Sequence, residues 1–156
     1  MIEAAALLHN VRSLYNVGAF FRTADAVGLR HLYLSGFTGS PPSRQIAKTA
    51  LGAEETVAWS RADALQTLVE LKGRGWEIAA VETVDDGVDV FDWSPGFPVL
   101  VIFGHEVEGV PAALIDSCDT RVRIPMSGTK RSLNVATAGG VVLYELFRKY
   151  RGREAR

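Results

Sequence analysis

The chain has 156 residues, of which 47% are hydrophobic, and a net charge of −1, which fits one compact domain over residues 1–156. No apolar run approaches the ~20 residues that cross a bilayer, and the N-terminus lacks the basic start and long apolar middle of a signal peptide. Cys118 is the only cysteine, which excludes an intramolecular disulfide, and no Cys/His group has zinc spacing. These features predict a cytoplasmic protein without a metal site or a membrane partner.

The small net charge conceals an uneven distribution of charged residues. Residues 1–52 hold five Lys/Arg and two acids, residues 53–120 hold three and fourteen, and residues 121–156 hold nine and two. If the two basic ends meet in the fold, they form a basic face that suits a polyanion such as RNA. Ordinary solvated charge explains the same counts equally well.

The first half of the chain predicts strands that alternate with helices. Ala4 to Leu8 is a short apolar run that indicates a strand. Apolar residues then recur at helical spacing from Val17 to Val27, with Asn16 as the predicted N-cap and Gly28 at the C-terminal end. The next predicted elements are a strand over 32–34, a turn region over 36–43, a helix over 44–51 with Ile46, Ala47, Ala50 and Leu51 on its apolar side, and a strand over 56–59.

The second half continues this alternation. Its predicted elements are a helix over 61–72, a strand over 78–81, an acidic irregular stretch over 83–93, a strand over 98–103, a helix over 111–117, a strand over 121–124 and a helix over 134–150. The unbroken apolar run PVLVIF at 98–103 indicates a strand that is covered on both faces. The whole pattern predicts an α/β fold in which a mostly parallel sheet is flanked by helices.

Two adjacent glycines, Gly139 and Gly140, lie inside the last predicted helix. Each costs ~1 kcal/mol relative to alanine in a helix interior. The pair therefore predicts close packing against another element or against a second subunit.

Two loops at predicted strand ends carry most of the chemistry. Gly104, His105 and Glu106 follow the buried strand, at the edge where open parallel sheets bind ligands, and a glycine there lets a ligand approach the backbone. The stretch IPMSGTKRSLNVATA, at 124–138, runs from a strand through a basic loop into a helix start, which makes a plausible pocket for a polar or anionic ligand. We do not count His105 as catalytic, because loop histidines are more often incidental.

Three stretches together resemble the SpoU (TrmH-like) family of SPOUT methyltransferases. They are NVGAFFRTADAVG at 16–28, VLVIFGHEVEG at 99–109 and the stretch at 124–138, in the order of the family's three motifs. KTALGAE at 48–54 extends the resemblance. A Rossmann-type methyltransferase would carry a G-x-G-x-x-G loop after its first strand, and residues 9–18 contain none.

The resemblance implies a C-terminal deep trefoil knot that holds S-adenosylmethionine, and methyl transfer to a ribose 2′-hydroxyl of tRNA or rRNA. It also implies a homodimer in which RNA meets one subunit near the cofactor of the other. The implied catalytic residues are Asn16, Arg22, Glu106, Ser132 and Asn134. The implied cofactor residues are Leu100, Ile102, Phe103, Gly104, Ile124, Met126, Ser132, Leu133 and Ala138.

Roles within the implied catalytic set follow from side-chain chemistry. Arg22 is expected to hold a substrate phosphate and to stabilise developing negative charge, because a guanidinium stays protonated and is unsuited to act as a base. Glu106 is expected to orient Arg22 through a bidentate pair, and Asn16 to position Arg22 or the ribose. Ser132 and Asn134 would complete the polar wall.

The expected partner is RNA rather than DNA, without a separate RNA-binding domain, through Arg12, Arg22, Arg44, Lys48, Lys130 and Arg131. Plainer interpretations exist: Asn16 as a helix cap, Arg22 as a surface charge, and the pair Arg44 and Lys48 as a solvated helix face. Two other functions stay open from the sequence, namely a catalytically inactive RNA-binding relative and a small-molecule enzyme on a nucleotide-binding sheet.

Overall fold

The computed structural model describes residues 1–83 and 85–156 and contains seven strands and six helices among them. In chain order the elements are β1 (Ala4–His9), α1 (Leu14–Val27), β2 (His31–Ser35), α2 (Arg44–Ala50), α3 (Ala53–Thr56), β3 (Trp59–Arg61), α4 (Ala64–Gly73), β4 (Glu77–Val81), β5 (Val88–Asp89), β6 (Val99–Phe103), α5 (Ala112–Ile115), β7 (Thr120–Arg123) and α6 (Val135–Glu154).

The strands form one sheet in the order β3-β2-β1-β6-β4-β7-β5, and every neighbouring pair is parallel. This confirms the predicted parallel α/β fold. β6 lies between β1 and β4, and all five of its residues are buried, as its unbroken apolar run predicts. The deep trefoil knot that the resemblance implies stays a prediction.

Helices cover both faces of the sheet. Helices α1, α2 and α6 pack on one face through a large cluster that includes Phe20, Ile46 and Val142. Helices α4 and α5 cover the other face through a smaller cluster that includes Leu68 and Leu114. Residues of β6 alternate between the two clusters, because successive side chains of a strand point to opposite faces.

Helix α1 begins earlier than the sequence predicts. Ser13 is the N-cap, and its side chain accepts a hydrogen bond from the amide of Asn16 at 3.2 Å. Asn16 therefore lies in the first turn of the helix and not at its cap, which leaves its side chain available for other contacts. Gly28 ends the helix with a φ of +66°, as predicted.

Four other boundaries or burial predictions are corrected. Thr56 ends the short helix α3, so the predicted strand over 56–59 is wrong and β3 begins at Trp59. Helix α4 begins only after its N-cap Asp63, because Arg61 belongs to β3. The acidic stretch over 83–93 contains β5, which pairs with β7. Ala47 and Leu51 are exposed rather than on the buried side of α2.

Helix α6 begins after its N-cap Asn134, as predicted, and continues to Glu154. Gly139 confirms the predicted close packing, because a Cβ at this position would overlap the ring of Phe20 in α1. Gly140 differs, since an added Cβ there would meet no atom within 4 Å. Among the described residues, no helix is long and apolar enough to cross a membrane.

Candidate active site

A cavity of about 150 Å³ opens at the edge of the sheet where β4, β6 and β7 end. Residues from three segments form it: 81–83 after β4, 103–109 after β6, and 124–138 from the end of β7 to the first turn of α6. Its apolar lining includes Phe103, Ile124, Met126, Leu133, Val135 and Ala138. Because the carboxyl ends of these parallel strands meet here, the cavity lies where open α/β sheets bind ligands.

Seven of the nine residues that the resemblance assigns to the cofactor line this cavity: Phe103, Gly104, Ile124, Met126, Ser132, Leu133 and Ala138. The other two, Leu100 and Ile102, are fully buried in the cluster beneath α4 and do not line the cavity. They lie in the middle of β6 with their side chains on the opposite face of the sheet, and only the carboxyl end of β6 reaches the cavity.

A chain of hydrogen bonds joins the three motifs beside the cavity. The Asn16 amide group donates through Nδ2 to Glu106 Oε1 at 3.3 Å. Asn134 Nδ2 in turn donates to Asn16 Oδ1 at 3.3 Å. Asn134 also caps α6, since its Oδ1 accepts from the amides of Ala136 and Thr137 at 2.9 and 3.3 Å. One residue from each motif therefore holds the next in place, although the three are far apart in sequence.

Glu106 connects this series of hydrogen bonds to the loop before α1. Besides Asn16, its carboxylate accepts the backbone amides of Arg12 and Ser13, each at 3.0 Å. Burial raises the pKa of Glu106, but hydrogen bonds from the amides of Ser13, Arg12 and Glu106 itself, and from Asn16, outweigh it and hold the pKa below its ordinary value. The carboxylate is therefore ionised at neutral pH and already occupied by donors.

Arg22 does not join this chain of hydrogen bonds, so the predicted bidentate pair with Glu106 is wrong. The Glu106 oxygens are taken by the loop amides and by Asn16, and Arg22 forms no ion pair with any of residues 1–83 and 85–156. Six residues separate Arg22 from Asn16, which places it about 9 Å further along α1 and about 120° around the helix. Its side chain is exposed and lies outside the cavity lining.

The loop that follows β6 is held rigidly. Gly104 faces Gly109 so closely that an added Cβ would overlap the Gly109 backbone, so the glycine is needed to close the loop itself. His105 Nδ1 accepts the amides of Val107 and Glu108 at 3.1 and 3.0 Å, which assigns the proton of the neutral ring to Nε2. Nδ1 is therefore engaged in holding the loop.

Sequence analysis missed the segment at 81–83. Glu82 lines the cavity and accepts the Val110 amide through Oε1 at 2.6 Å, which ties the end of β4 to the loop after β6. The hydrogen-bonded register of β4 beside β6 brings these residues to the site. In the sequence β4 is followed by β5 and not by β6. The pairing of β4 with β6 is visible only in the strand order of the sheet.

The basic residues predicted to contact RNA are exposed, but they lie in separate places. Arg131 lines the cavity and Lys130 is its neighbour in the same loop. Arg12 borders an adjacent groove with Ser13 and Glu106. Arg44 and Lys48 lie on α2, whose contact with α1 is close enough that a Cβ at Gly18 would overlap Thr49. Within the described part of the chain, no three His, Cys, Asp or Glu residues are grouped as a metal site.

Comparison with known proteins agrees with this arrangement. The SpoU rRNA Methylase family model matches residues 3–144, which include all three motifs and the whole cavity lining. The chain belongs to this family of methylases.

Individual relatives can be described in more detail. The tRNA (guanosine(18)-2′-O)-methyltransferase of Aquifex aeolicus is 33% identical over 141 residues, which are 90% of this chain and 66% of that protein. An AdoMet-bound rRNA methyltransferase from Sinorhizobium meliloti superposes with a TM-score of 0.87 at 29% identity, over 93% of this chain and 56% of the other. A structure described as giving insight into 2-OH methylation of C/U34 on tRNA has a TM-score of 0.85 at 26% identity, over 96% and 97%.

The relatives differ in how much of their length this chain covers. The chain spans less than two thirds of the length of the curated relatives that it matches, including the Aquifex aeolicus enzyme. It spans nearly all of the chain in the C/U34 methylation structure.

Proposed function

We propose that residues 1–156 form one catalytic domain that transfers a methyl group from S-adenosylmethionine to a ribose 2′-hydroxyl of tRNA or rRNA, as a cytoplasmic homodimer. The observation that carries the proposal is the series of hydrogen bonds from Glu106, which lines the cavity, through Asn16 to Asn134, one residue from each of this family's motifs. The names of the relatives, which act on tRNA or rRNA, support the substrate class.

The residues present fit S-adenosylmethionine. The apolar wall of Ile124, Leu133 and Ala138 suits a flat adenine ring, and the half-exposed Met126 offers a soft, polarisable contact. Gly104 also lines the cavity, at the point where its close contact with Gly109 turns the loop. The AdoMet-bound structure from Sinorhizobium meliloti is consistent with this use of the site.

When bound, the cofactor supplies a methyl group on a positively charged sulfur, which is an electrophile for a hydroxyl oxygen. The chain must then orient that hydroxyl and stabilise the negative charge that develops on its oxygen. Asn16 and Asn134 each use one N–H of the side-chain amide within the hydrogen-bonded chain and retain a second N–H. These two remaining donors are fixed in direction before substrate arrives, which makes them suitable for holding the ribose oxygen.

Arg22 is the residue that we assign to the substrate phosphate and to the developing charge. It lies outside the lining of the cavity in its own chain, on the exposed side of α1. A second copy packed on α1 and α6 would bring Arg22 towards a cavity that spans both chains. The open space at Gly140 and the half-exposed Tyr144 on α6 support such a contact.

RNA contact would rest on the exposed cations that surround the cavity. Arg131 and Lys130 belong to the loop over the cavity, and Arg12 borders the groove beside it. Arg44 and Lys48 extend this set along α2. Neutralising phosphates with these side chains would make binding weaken as salt concentration rises.

The first experiment is calorimetric titration of S-adenosylmethionine and S-adenosylhomocysteine into wild type and a Leu133→Arg variant. Leu133 is 38% exposed at the cavity, so arginine fits without unfolding the core and should weaken both ligands more than about a hundredfold. Val69→Arg, at an exposed position on α4, is the matched control and should bind as wild type does. Absence of binding to wild type would remove the catalytic proposal and leave RNA binding alone as the leading function.

The second experiment measures transfer of a labelled methyl group to RNA. Unmodified tRNA and rRNA transcripts are offered separately, and nuclease digestion identifies the methylated nucleotide and its 2′-O position. Methylation of neither RNA by a chain that binds the cofactor would favour a small-molecule substrate.

A further inference from the structure

An aromatic ring lies exposed at the same sheet edge as the cavity. Phe37, in the loop between β2 and α2, is 61% exposed. Val107, in the loop after β6, is 87% exposed. An exposed aromatic ring close to a polar site offers a face on which a ligand can stack.

The exposure of Phe37 does not come from a loose loop. Its amide donates to Asn10 Oδ1 at 3.0 Å. Arg61 donates to the carbonyls on either side of Phe37, with Nη2 at 2.7 Å from Gly36 O and Nη1 at 2.6 Å from Thr38 O. Thr38 is fully buried. The ring is therefore presented outward by a backbone that is fixed on both sides.

Phe37 also adjoins the candidate active site. Its ring stands edge-on to the imidazole of His105, with 6.0 Å between the centroids and 78° between the planes. His105, Glu106 and Val107 line both the cavity and a neighbouring groove of about 280 Å³, which Arg12 and Ser13 also line. A ligand that enters the cavity can therefore extend over this groove towards Phe37.

The groove has the charge and the shape of a site for an unpaired nucleotide. Arg12 is exposed and forms no ion pair with any residue of the described chain, so its guanidinium is available to a phosphate. The carboxylate of Glu106, which would repel a phosphate, is engaged by three N–H donors. Aromatic faces beside a cation are the common means of binding single-stranded nucleic acid, because every base offers a flat face for stacking.

We infer that Phe37 is a stacking platform for an unpaired RNA base next to the methylated nucleotide, with Arg12 on the intervening phosphate. This inference rests on the proposed function, because it places the target ribose at Asn16 and Asn134. It also assigns to the β2–α2 loop a part in substrate recognition that none of the three motifs includes. The preferred RNA target is then a loop or another single-stranded region, and not the interior of a helix.

The test measures binding of a fluorescein-labelled, unstructured 12-nucleotide pyrimidine RNA by anisotropy over a range of salt concentrations. Phe37→Ala should weaken binding about 5- to 50-fold, and Phe37→Trp should restore it, because stacking energy follows the ring. Val69→Ala removes an exposed apolar side chain on α4, at the other face of the sheet, and is the matched control. An abasic 12-mer should bind wild type and Phe37→Ala equally.

Salt dependence separates stacking from charge. Phe37→Ala should leave the slope of log K against log salt unchanged, whereas Arg12→Gln should reduce it by about 0.7, the value for one phosphate contact on single strands. Equal binding by wild type and Phe37→Ala would overturn the inference. So would a change of oligomeric mass on sedimentation of Phe37→Ala, since Phe37 would then contact a second copy.

The two proposals fail in different ways. If wild type binds neither S-adenosylmethionine nor the 12-mer, the proposed function itself is wrong. If wild type binds the cofactor and methylates RNA while Phe37→Ala has the wild-type KM for that RNA, only the stacking role is wrong.

Discussion

The two ends of the candidate site differ in how their side chains are held. Asn16, Glu106 and Asn134 are joined by hydrogen bonds to one another and to backbone amides. Arg22, from the same helix as Asn16, is exposed and unpaired within the described residues. The fold alone therefore organises the end that would hold the ribose. The end that would meet the phosphate is completed only by RNA or by a second copy of the chain.

The largest expected effect is on kcat and comes from removing Arg22, the unpaired side chain of the site. Arg22→Ala should lower kcat about 10²- to 10³-fold, because a charge that stabilises the transition state is removed. Affinity for S-adenosylmethionine and the melting temperature should stay as in wild type, since Arg22 neither lines the cavity nor holds another side chain. Single-turnover methyl transfer and calorimetry measure the two quantities.

Arg74→Ala, at the C-cap of α4, is the control for this loss of one exposed arginine, because its exposed ion pair with Glu70 contributes little to stability. Near wild-type turnover by Arg22→Ala would remove Arg22 from the catalytic set. A fall in cofactor affinity would instead place Arg22 inside the organised end.

Asn134 allows the catalytic and structural contributions of the organised end to be separated. Asn134→Ser retains an N-cap of similar strength and loses the N–H that reaches Asn16, so stability should stay within about 0.5 kcal/mol while kcat falls about a hundredfold. Asn134→Ala should lose the same activity and about 1 kcal/mol of stability. Urea unfolding and methyl-transfer rates on both variants check this, and equal activity of the serine variant and wild type would contradict the role given to the amide.

The adjacent glycines of α6 compare a contact inside the fold with open space outside it. Gly139→Ala places a methyl group against the Phe20 ring and should lower the free energy of unfolding by about 1–3 kcal/mol. It should also move α6 away from α1 and so separate Asn134 from Asn16. Gly140→Ala meets no atom within 4 Å and should stabilise the isolated chain by up to about 1 kcal/mol.

Thermal unfolding at several protein concentrations distinguishes the two positions. A destabilised, concentration-dependent Gly140→Ala variant would show that a second copy packs on this face of α6. Stabilisation that does not depend on concentration would show that no second copy packs on this face of α6.

The sequence predicted which residues belong to the organised end of the site, but it did not predict how they contact one another. The apolar run at 98–103 and the alternation of strands and helices were enough for a parallel sheet, because burial on both faces leaves a direct mark on composition. Glu106, Asn16 and Asn134 were identified as a set through their motifs. Glu106 pairs with Asn16 and two loop amides instead of Arg22. This pairing depends on where α1 begins, and the N-cap lies three residues before the predicted one.

Other features had no local signal. Leu100 and Ile102 belong to the motif that surrounds the cavity, yet strand alternation buries them on the opposite face. Glu82 reaches the cavity only because β4 pairs with β6, a non-consecutive neighbour whose position depends on the whole topology. Periodicity describes which face of an element is buried, and it does not describe which elements become neighbours.

The smallest expected effect concerns the charge of Glu106. Its pKa in the folded chain lies below the ordinary value of 4.5, because the amides of Ser13 and Arg12 and the side chain of Asn16 outweigh the effect of burial. The stability that the carboxylate adds is therefore fully present above pH 4.5 and is lost as the pH falls through the lower, folded pKa. Glu106→Gln should be less stable than wild type at pH 7, and this difference should shrink as the pH falls below 4.5. Urea midpoints of both proteins between pH 3 and pH 7, ~0.5 unit apart, measure it. A difference that is constant across this range would mean that the carboxylate anchors the loop by shape alone, and that its charge adds nothing to the organised end.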